Sequence, residues 1–192
     1  MILLSAIAGG LLVGLAWARW RGRPYQAPDL RSTWLVVAGF IPQFLIAYLP
    51  ATHNVAPNWL AVASLSASLI AFLAFVWINR RLPGMPVLLT GLLLNLAVMA
   101  ANGGWMPITP EIASQLLGED VTKYVALGAR FGQKDILLAP QTIHLGFLAD
   151  RFLLPAWLPY KVACSAGDIL IAAGAFWLLA KPPEPVKQQE VE

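Results

Sequence analysis

The fold is decided by an uninterrupted apolar stretch in the middle of the chain. Residues 58–78 read NWLAVASLSASLIAFLAFVWI and contain no charged side chain. A helix needs about 20 mainly apolar residues to cross a bilayer. Lipid offers the backbone no hydrogen-bond partners, and the stretch is too long and too continuously apolar for a barrel strand. It is therefore predicted to be a membrane-spanning helix.

Similar apolar stretches lie on both sides of it, which makes five predicted spans. They are Ile2–Ala18, Thr33–Leu49, Asn58–Ile78, Met85–Ala101 and Val162–Ala180. The chain of 192 residues is 58% apolar and 12% charged, whereas about 25% of the residues in an average soluble domain are charged. We therefore predict an all-α membrane protein, a bundle of about five transmembrane helices. The first stretch is expected to be retained, because it lacks the basic start and cleavage site of a signal peptide.

The arginines predict the orientation of this bundle. Four lie between the first two spans and two between the third and fourth, whereas residues 50–57 contain no Lys or Arg. Positively charged loops stay in the cytoplasm, so the N-terminus is expected outside and the C-terminus inside. The net charge of +3 follows this pattern and forms no separate patch, so nucleic acid is not an expected partner. The expected partner is the lipid bilayer, with another membrane protein as an alternative.

Residues 102–161 are predicted to be an external segment of a single transmembrane domain that covers residues 1–181. A loop of this length is expected to contain structure of its own. Thr109–Glu111 supplies a capping hydroxyl, a first-turn Pro and an acid, and Gly118 can end the helix that starts there. Thr142–Leu154 has one apolar face and is predicted to be a helix lying on the membrane surface. The polar, Pro-rich residues 182–192 are predicted to be a disordered cytoplasmic tail.

Asp168 is the only charged residue inside any predicted span. An acid at bilayer depth is costly and marks a candidate functional site. It could accept hydrogen bonds within a packed helix interface, or it could be a catalytic or ion-coordinating carboxylate. Ser165, Asn95 and Gln43 are the polar side chains expected at comparable depth or beside it. These residues form the candidate polar site within the bundle.

The triplet Asn102, Gly103 and Gly104 follows the fourth span and reads as a turn, or alternatively as a site where backbone and amide groups bind a ligand. Asn102 is expected near the depth of Asp168 and could meet it. Cys164 is a single cysteine and is expected to be a small packing residue. The two histidines are isolated and no cofactor motif is present, so we expect neither a metal nor a cofactor.

Several motifs together carry a resemblance that covers nearly the whole chain. They are Asn102–Pro107, Lys134–Asp135, Leu148–Asp150 and Ser165–Ile169 before a final apolar span. The combination resembles an uncharacterised family of small bacterial integral membrane proteins, domain of unknown function 5317. That resemblance implies a multi-pass protein of the bacterial inner membrane, and it implies no activity.

A second, local resemblance is to lipoprotein signal peptidase, a membrane aspartyl protease. Asp150, followed by Arg151, looks like the first aspartate of that family, and Asp168, near the start of the last helix, looks like the second. The resemblance implies two carboxyl groups that share a proton and activate water. Ser165 stands where that family has Asn, and this chain has five predicted spans where that family has four.

Three functions remain open from the sequence. The first is a non-enzymatic membrane subunit that binds a lipid or a partner. The second is a membrane-embedded hydrolase that uses Asp150 and Asp168. The third is a small transporter or channel subunit that uses Asp168, Asn95 and Gln43. The distance between the two carboxyl groups bears most directly on the second, because a catalytic dyad must meet at one point.

Overall fold

The computed structural model describes residues 2–49, 52, 55–155 and 161–181. The chain is mostly helical, as predicted. Its helices are α1 (Ile2–Trp20), α2 (Trp34–Gln43, continued by a π-helical turn Phe44–Tyr48), α3 (Asn58–Ile78), α4 (Met85–Ala101), α5 (Pro110–Leu117) and α6 (Ala166–Ala180). The bounds of α3 and α4 agree with two of the predicted apolar stretches. The last helix starts four residues later than predicted, because Ala163–Cys164 is a strand.

Two of the helices are long and apolar enough to cross a bilayer by length and composition. These are α1 with 19 residues and α3 with 21. The other apolar helices, Trp34–Ile46, α4 and α6, are shorter. At 1.5 Å per residue, α3 is about 31 Å long, which matches the hydrocarbon thickness of a bilayer.

The last helix packs between the first and the fourth, so the bundle has the spatial order α1, α6, α4, α3, α2. Glycines allow α4 and α6 to touch through their backbones. A Cβ added at Gly91 would lie 2.5 Å from Gly167 O, and one added at Gly174 would lie 2.6 Å from Leu88 N. Since Gly91 faces Gly167 and Gly84 faces Gly174, the two helices run antiparallel.

Glycines also set the contact between α1 and α6. A Cβ at Gly10 would lie 2.6 Å from Phe176 O, and Gly14 faces Leu179 one turn further on. Residue numbers increase in the same direction along both helices, so α1 and α6 run parallel. Small residues four apart are a common means of close helix contact in membranes.

One end of the bundle gathers three separate parts of the chain. Arg31 N donates to Asn79 Oδ1 (2.8 Å) and Asn79 Nδ2 donates to Arg31 O (2.9 Å), which joins the segment before α2 to the end of α3. Tyr25 OH donates to Leu179 O (3.0 Å) at the end of α6. We call this end, formed by residues 19–31, 79–84 and 179–181, the arginine end.

The opposite end carries what we call the cap, the described residues between Asn102 and Ser165. It contains α5 and five short strands: β1 (Met106–Ile108), β2 (Arg130–Phe131), β3 (Asp135–Leu137), β4 (Phe152–Leu153) and β5 (Ala163–Cys164). One sheet has three strands, with β3 in the middle; β3 is parallel to β1 and antiparallel to β2. The other sheet is the antiparallel pair of β4 and β5. The cap has a small core of its own around Ile108, Val121 and Leu137. The prediction of an all-α protein was therefore wrong for this part of the chain.

The predicted helix α5 is confirmed, and its ends are those that the sequence indicated. Thr109 Oγ1 accepts from Ile112 N (3.4 Å), and Gly118 ends the helix at φ 80°. The position just after the last turn of a helix often has a left-handed backbone. Gly is favoured at this position, because a residue with a side chain would be strained in that conformation.

The predicted surface helix Thr142–Leu154 was wrong. This stretch contains a 3₁₀ turn at Gly146–Leu148 and strand β4 instead. Tertiary hydrogen bonds hold it extended. Asn102 pairs with the backbone of His144 through Nδ2 to O (2.8 Å) and N to Oδ1 (3.0 Å), and Asp150 N donates to Pro107 O (3.2 Å). Backbone groups used in this way cannot make the helical bonds that the apolar spacing suggested.

Candidate functional site

A lysine from the cap lies between two aspartates, one in the cap and one in the bundle. Lys134 Nζ is 3.0 Å from Asp150 Oδ2 and 3.2 Å from Asp168 Oδ2. Only 2% of the Asp150 side chain is exposed, against 20% for Asp168 and 33% for Lys134. The ammonium group thus joins the cap to the start of α6, and it does so close to solvent at the cap end.

Strand β1 positions both cap residues of this contact. Met106 N donates to Lys134 O (3.0 Å) on one side of the strand, and Asp150 N donates to Pro107 O (3.2 Å) on the other. Lys134 follows the turn between β2 and β3, where Gly132 has φ 65°. The cap therefore brings residues 134 and 150 together through a strand that comes directly after α4.

The first turn of α6 positions the bundle residue. Ser165 Oγ accepts from Asp168 N (3.0 Å), and Asp168 Oδ2 accepts from Ser165 N (3.3 Å), a reciprocal capping box. Asn95, on α4, donates through Nδ2 to Asp168 Oδ1 (2.8 Å) and accepts at Oδ1 from Ser165 Oγ (2.9 Å). Gly167 is required here, because a Cβ would overlap the Asn95 amide.

A third aspartate, Asp135, completes what we call the lysine–aspartate cluster: Lys134, Asp135, Asp150 and Asp168. Burial raises the pKa of Asp135 to about 8, although the adjacent Lys134 opposes the shift. Burial also raises the pKa of Asp150, to which the Asp135 carboxyl is hydrogen-bonded. A hydrogen bond between two carboxyl groups requires one proton, and we place it on Asp135 as the donor.

A proton on Asp135 also explains how two buried carboxyl oxygens, one of Asp135 and one of Asp150, can be hydrogen-bonded. If both groups are ionised, Asp135 Oδ1 and Asp150 Oδ1 have no hydrogen-bond partner among the described residues. Buried acceptors without partners are costly. A proton shared by the two carboxyl groups removes one negative charge and supplies a donor to this part of the cluster.

Lys134 remains charged in this setting. Burial by itself would lower the pKa of Lys134, but the surrounding aspartates, Asp150 and Asp168 foremost, raise it above its ordinary value. With Asp135 neutral, one ammonium faces two carboxylates.

Cys164 lies beside the cluster and behaves as a packing residue. It is buried, and its thiol donates to Phe152 O (3.4 Å). Burial, with the charges of Asp168 and Asp150, raises the pKa of the thiol to about 11. The group is thus protonated at neutral pH and is a poor nucleophile.

The structure brings together four of the residues that the sequence singled out: Asp150, Asp168, Ser165 and Asn95. The sequence suggested that Asn102 could meet Asp168, but the Asn102 side chain is hydrogen-bonded to the backbone of His144 instead. Gly103 and Gly104 form a turn with φ 71° and 89°. Gln43 lies on α2, which packs on α3 away from the cluster.

Sequence reasoning missed the roles of Lys134 and Asp135. Both had been noted only as a motif of the family resemblance, and no role had been assigned to either. The available signal was the charge count: a carboxylate inside an apolar span needs a cation, and Lys134 is one of few basic residues in the external segment.

An apolar helical bundle with a small mixed cap, joined through a buried ionic cluster, defines the class of protein. The chain belongs to the Family of unknown function (DUF5317), whose family model matches residues 28–180. An uncharacterized protein of Thermotoga maritima is 33% identical over 114 residues, which are 58% of this chain and 59% of the relative. The chain thus spans less than two thirds of that relative. No solved structure matches.

Proposed function

We propose that the protein is a multi-pass protein of the bacterial inner membrane, with five helices crossing the bilayer. The support is the exposure of its apolar helices. Only 17% of the most apolar window of α1 and 39% of that of α3 are buried, whereas the core helix of a soluble protein is mostly buried. Leu4 and Leu12 on α1 are 64% and 67% exposed. Such surfaces are stable in lipid and not in water.

Tryptophans support the same proposal. Six exposed ones lie within the first or last four residues of the apolar helices: Trp17, Trp20, Trp34, Trp59, Trp77 and Trp177. Trp is enriched where membrane meets water, because its ring is apolar and its N–H is polar. This placement also favours crossing by two of the shorter helices, since α2 begins at Trp34 and Trp177 lies in the last turn of α6.

The helix directions support an orientation with the N-terminus outside and the C-terminus in the cytoplasm. Parallel α1 and α6 start at the cap end, and the arginines of both basic loops lie at the arginine end. The positive-inside rule then puts the arginine end in the cytoplasm and the cap outside.

Within this frame the protein is a non-enzymatic membrane subunit whose cap is fixed rigidly to the bundle and presents a surface to a lipid or partner. The observation that carries this proposal is the contact of Lys134 Nζ with both Asp150 and Asp168. Exposed apolar side chains on the cap, including Tyr124 (70%) and Phe147 (63%), provide the surface.

The hydrolase hypothesis receives mixed support. Asp150 and Asp168 do converge, as a dyad requires. However, Lys134 lies against both carboxylates and stabilises their charged forms, whereas dyad catalysis needs one carboxyl to keep a proton. The proton-sharing pair is Asp135 and Asp150 instead. Of the polar residues suggested for transport, Asn95 and Asp168 meet, but Gln43 lies away from both.

Cysteine labelling in intact cells tests the membrane proposal. In a Cys164→Ala background, a cysteine at Glu119 should react with a membrane-impermeant reagent, and one at Gln188 should react only after the cells are opened. Protection of position 119 together with labelling of position 188 would reverse the orientation. Release of the protein from membranes by alkaline carbonate would remove the proposal of an integral protein.

A further inference from the structure

The arginine end contains a cavity of about 460 Å³ between the last turns of α1 and the segment that follows. It is lined by Leu15, Ala18, Arg19, Gly22, Arg23 and Tyr25. The lining joins an apolar wall to two guanidinium groups and a phenol. This combination suits an amphiphilic anion better than a purely polar one.

The backbone holds this lining in place. Arg23 N donates to Ala18 O (3.0 Å) and Gly22 N donates to Arg19 O (3.0 Å), which ends α1 with Gly22 at φ 64°. The chain thereby turns back, so that Arg19 and Arg23 line one cavity. Tyr25 fixes the returning segment by its hydrogen bond to Leu179 O. The site is thus formed by the end of α1 and by the segment that follows it, and Tyr25 ties that segment to α6.

The two arginines of the cavity differ from Arg21 and Arg80 at the same end of the bundle. Within the described part of the chain, no hydrogen bond, ion pair or ring contact engages the Arg19 or Arg23 side chain. By contrast, Arg21 stacks on Trp17 at 4.6 Å and Arg80 on Trp77 at 4.5 Å. Two guanidinium groups in one cavity repel each other unless an anion lies between them.

The wider charge of this end favours an anion as well. The described residues there include seven basic side chains, Arg19, Arg21, Arg23, Arg31, Arg80, Arg81 and Lys181, and one acidic side chain, Asp29. Guanidinium groups bind phosphate oxygens in a two-pronged geometry that an ammonium group cannot match. The preferred ligand group is therefore a phosphate.

The apolar wall indicates what the phosphate is attached to. Leu15 is 43% exposed and lies on the outer surface of α1, directly beside the cavity. An acyl chain that follows α1 would cover Leu15 while its headgroup lies between Arg19 and Arg23. We propose that this cavity binds the phosphate headgroup of an anionic phospholipid in the cytoplasmic leaflet, an inference that rests on the proposed membrane location.

The test compares two double variants that lose the same charge. Arg19→Gln/Arg23→Gln empties the cavity of cations, and Arg31→Gln/Arg81→Gln removes two cations of the same end that do not line it. The full-length proteins are placed in nanodiscs of phosphatidylcholine with or without phosphatidylglycerol, and retained lipid is counted by native mass spectrometry. We expect the cavity variant to lose affinity for phosphatidylglycerol about tenfold more than the control variant does.

Two further arms make the outcome decisive. Leu15→Trp fills the apolar wall and keeps both arginines, so it should also lose the bound lipid even if the double variant folds poorly. Inorganic phosphate added in detergent separates the sources: thermal stabilisation by phosphate equal to that by phosphatidylglycerol would identify free phosphate as the ligand.

Equal loss in both double variants, or no preference of the parent for phosphatidylglycerol, would overturn the inference. If the protein resists extraction from membranes by carbonate but gives either of these two lipid-binding results, only the lipid site is refuted and the membrane proposal stands. If carbonate extracts the protein, the membrane proposal itself is refuted.

Discussion

Asn95 Nδ2 donates a 2.8 Å hydrogen bond to Asp168 Oδ1 across the interface of α4 and α6. The other oxygen of the same carboxylate, Oδ2, accepts from Lys134 of the cap at 3.2 Å. One side chain thus serves two interfaces with its two oxygens. This division explains how an acid can be stable at the start of an apolar helix, because every strong acceptor position has a donor.

Substitution of Asp168 separates its charge from its hydrogen bonds. Asp168→Asn keeps the size and one acceptor, so the protein should fold but lose about 1 kcal/mol of stability as the contact with Lys134 weakens. Asp168→Leu leaves the Asn95 Nδ2 group without an acceptor and Lys134 with Asp150 alone, and should cost about 1 to 3 kcal/mol more. Thermal unfolding in nanodiscs measures the stability of the parent and of both variants. A Leu variant as stable as the parent would show that Asp168 is not structural.

Lys134→Met leaves two carboxylates facing each other without a cation. Removal of one partner of a buried pair typically costs about 3 to 5 kcal/mol, and we expect the lower value because 33% of the Lys134 side chain is exposed. Lys123→Met, on the exposed surface of the cap, is the matched control and should cost under about 0.5 kcal/mol.

A second substitution tests whether charge is the cause. Addition of Asp150→Asn to Lys134→Met removes one uncompensated carboxylate and should recover part of the loss. Hydrogen exchange of the cap should rise in Lys134→Met and fall back in the double variant. If the double variant were less stable than the parent by the sum of the losses of the two single variants, the two residues would not be coupled.

The helices were predictable because their signal is local. An uncharged run such as Asn58–Ile78 fixes a helix through its own composition. Thr109 fixes the start of α5 through its hydroxyl, and Gly118 fixes its end through its left-handed backbone. The cap was not predictable in the same way. Its strands are two or three residues long, too short for any alternation to be visible, and the pairing of β1 with β3 joins segments far apart in sequence.

In the candidate site, too, some residues could be predicted from the local sequence and others could not. Asp168 stands out in the sequence because it interrupts an apolar run, and Asn95 because it lies at the same depth. Lys134 looks like an ordinary surface charge, since it is flanked by Gln133 and Asp135, and Asp150 was given a role only through its local resemblance to a signal peptidase. Only the position of β1, between the segments that carry them, brings their side chains together. Asn102 was misplaced for a related reason: its amide pairs with a backbone segment whose path the sequence does not reveal.

Gly91→Ala tests the backbone contact of α4 with α6. The new methyl group would lie 2.5 Å from Gly167 O and 2.8 Å from Ile171 N, so the helices must separate. We expect a loss of about 1 to 3 kcal/mol, typical of overpacking. Gly9→Ala is the control, because its methyl group would meet only Phe176 ring atoms at 3.6 Å. Equal stability of both variants would mean that the contact of α4 with α6 is looser than described.

The proton on Asp135 predicts a pH dependence of stability. Its pKa is raised from 3.8 to about 8 in the folded protein, so between these values the folded state holds one proton more than the unfolded state. Stability should therefore be greatest, as far as this group is concerned, below pH about 4, fall as pH rises towards about 8, and level off above it. Asp135→Asn keeps a donor towards Asp150 at every pH and should remove this fall. Unfolding in nanodiscs, followed from pH 5 to pH 9 for both proteins, measures it. Parallel pH profiles would place no extra proton on Asp135 and would leave the buried oxygens of Asp135 and Asp150 unexplained.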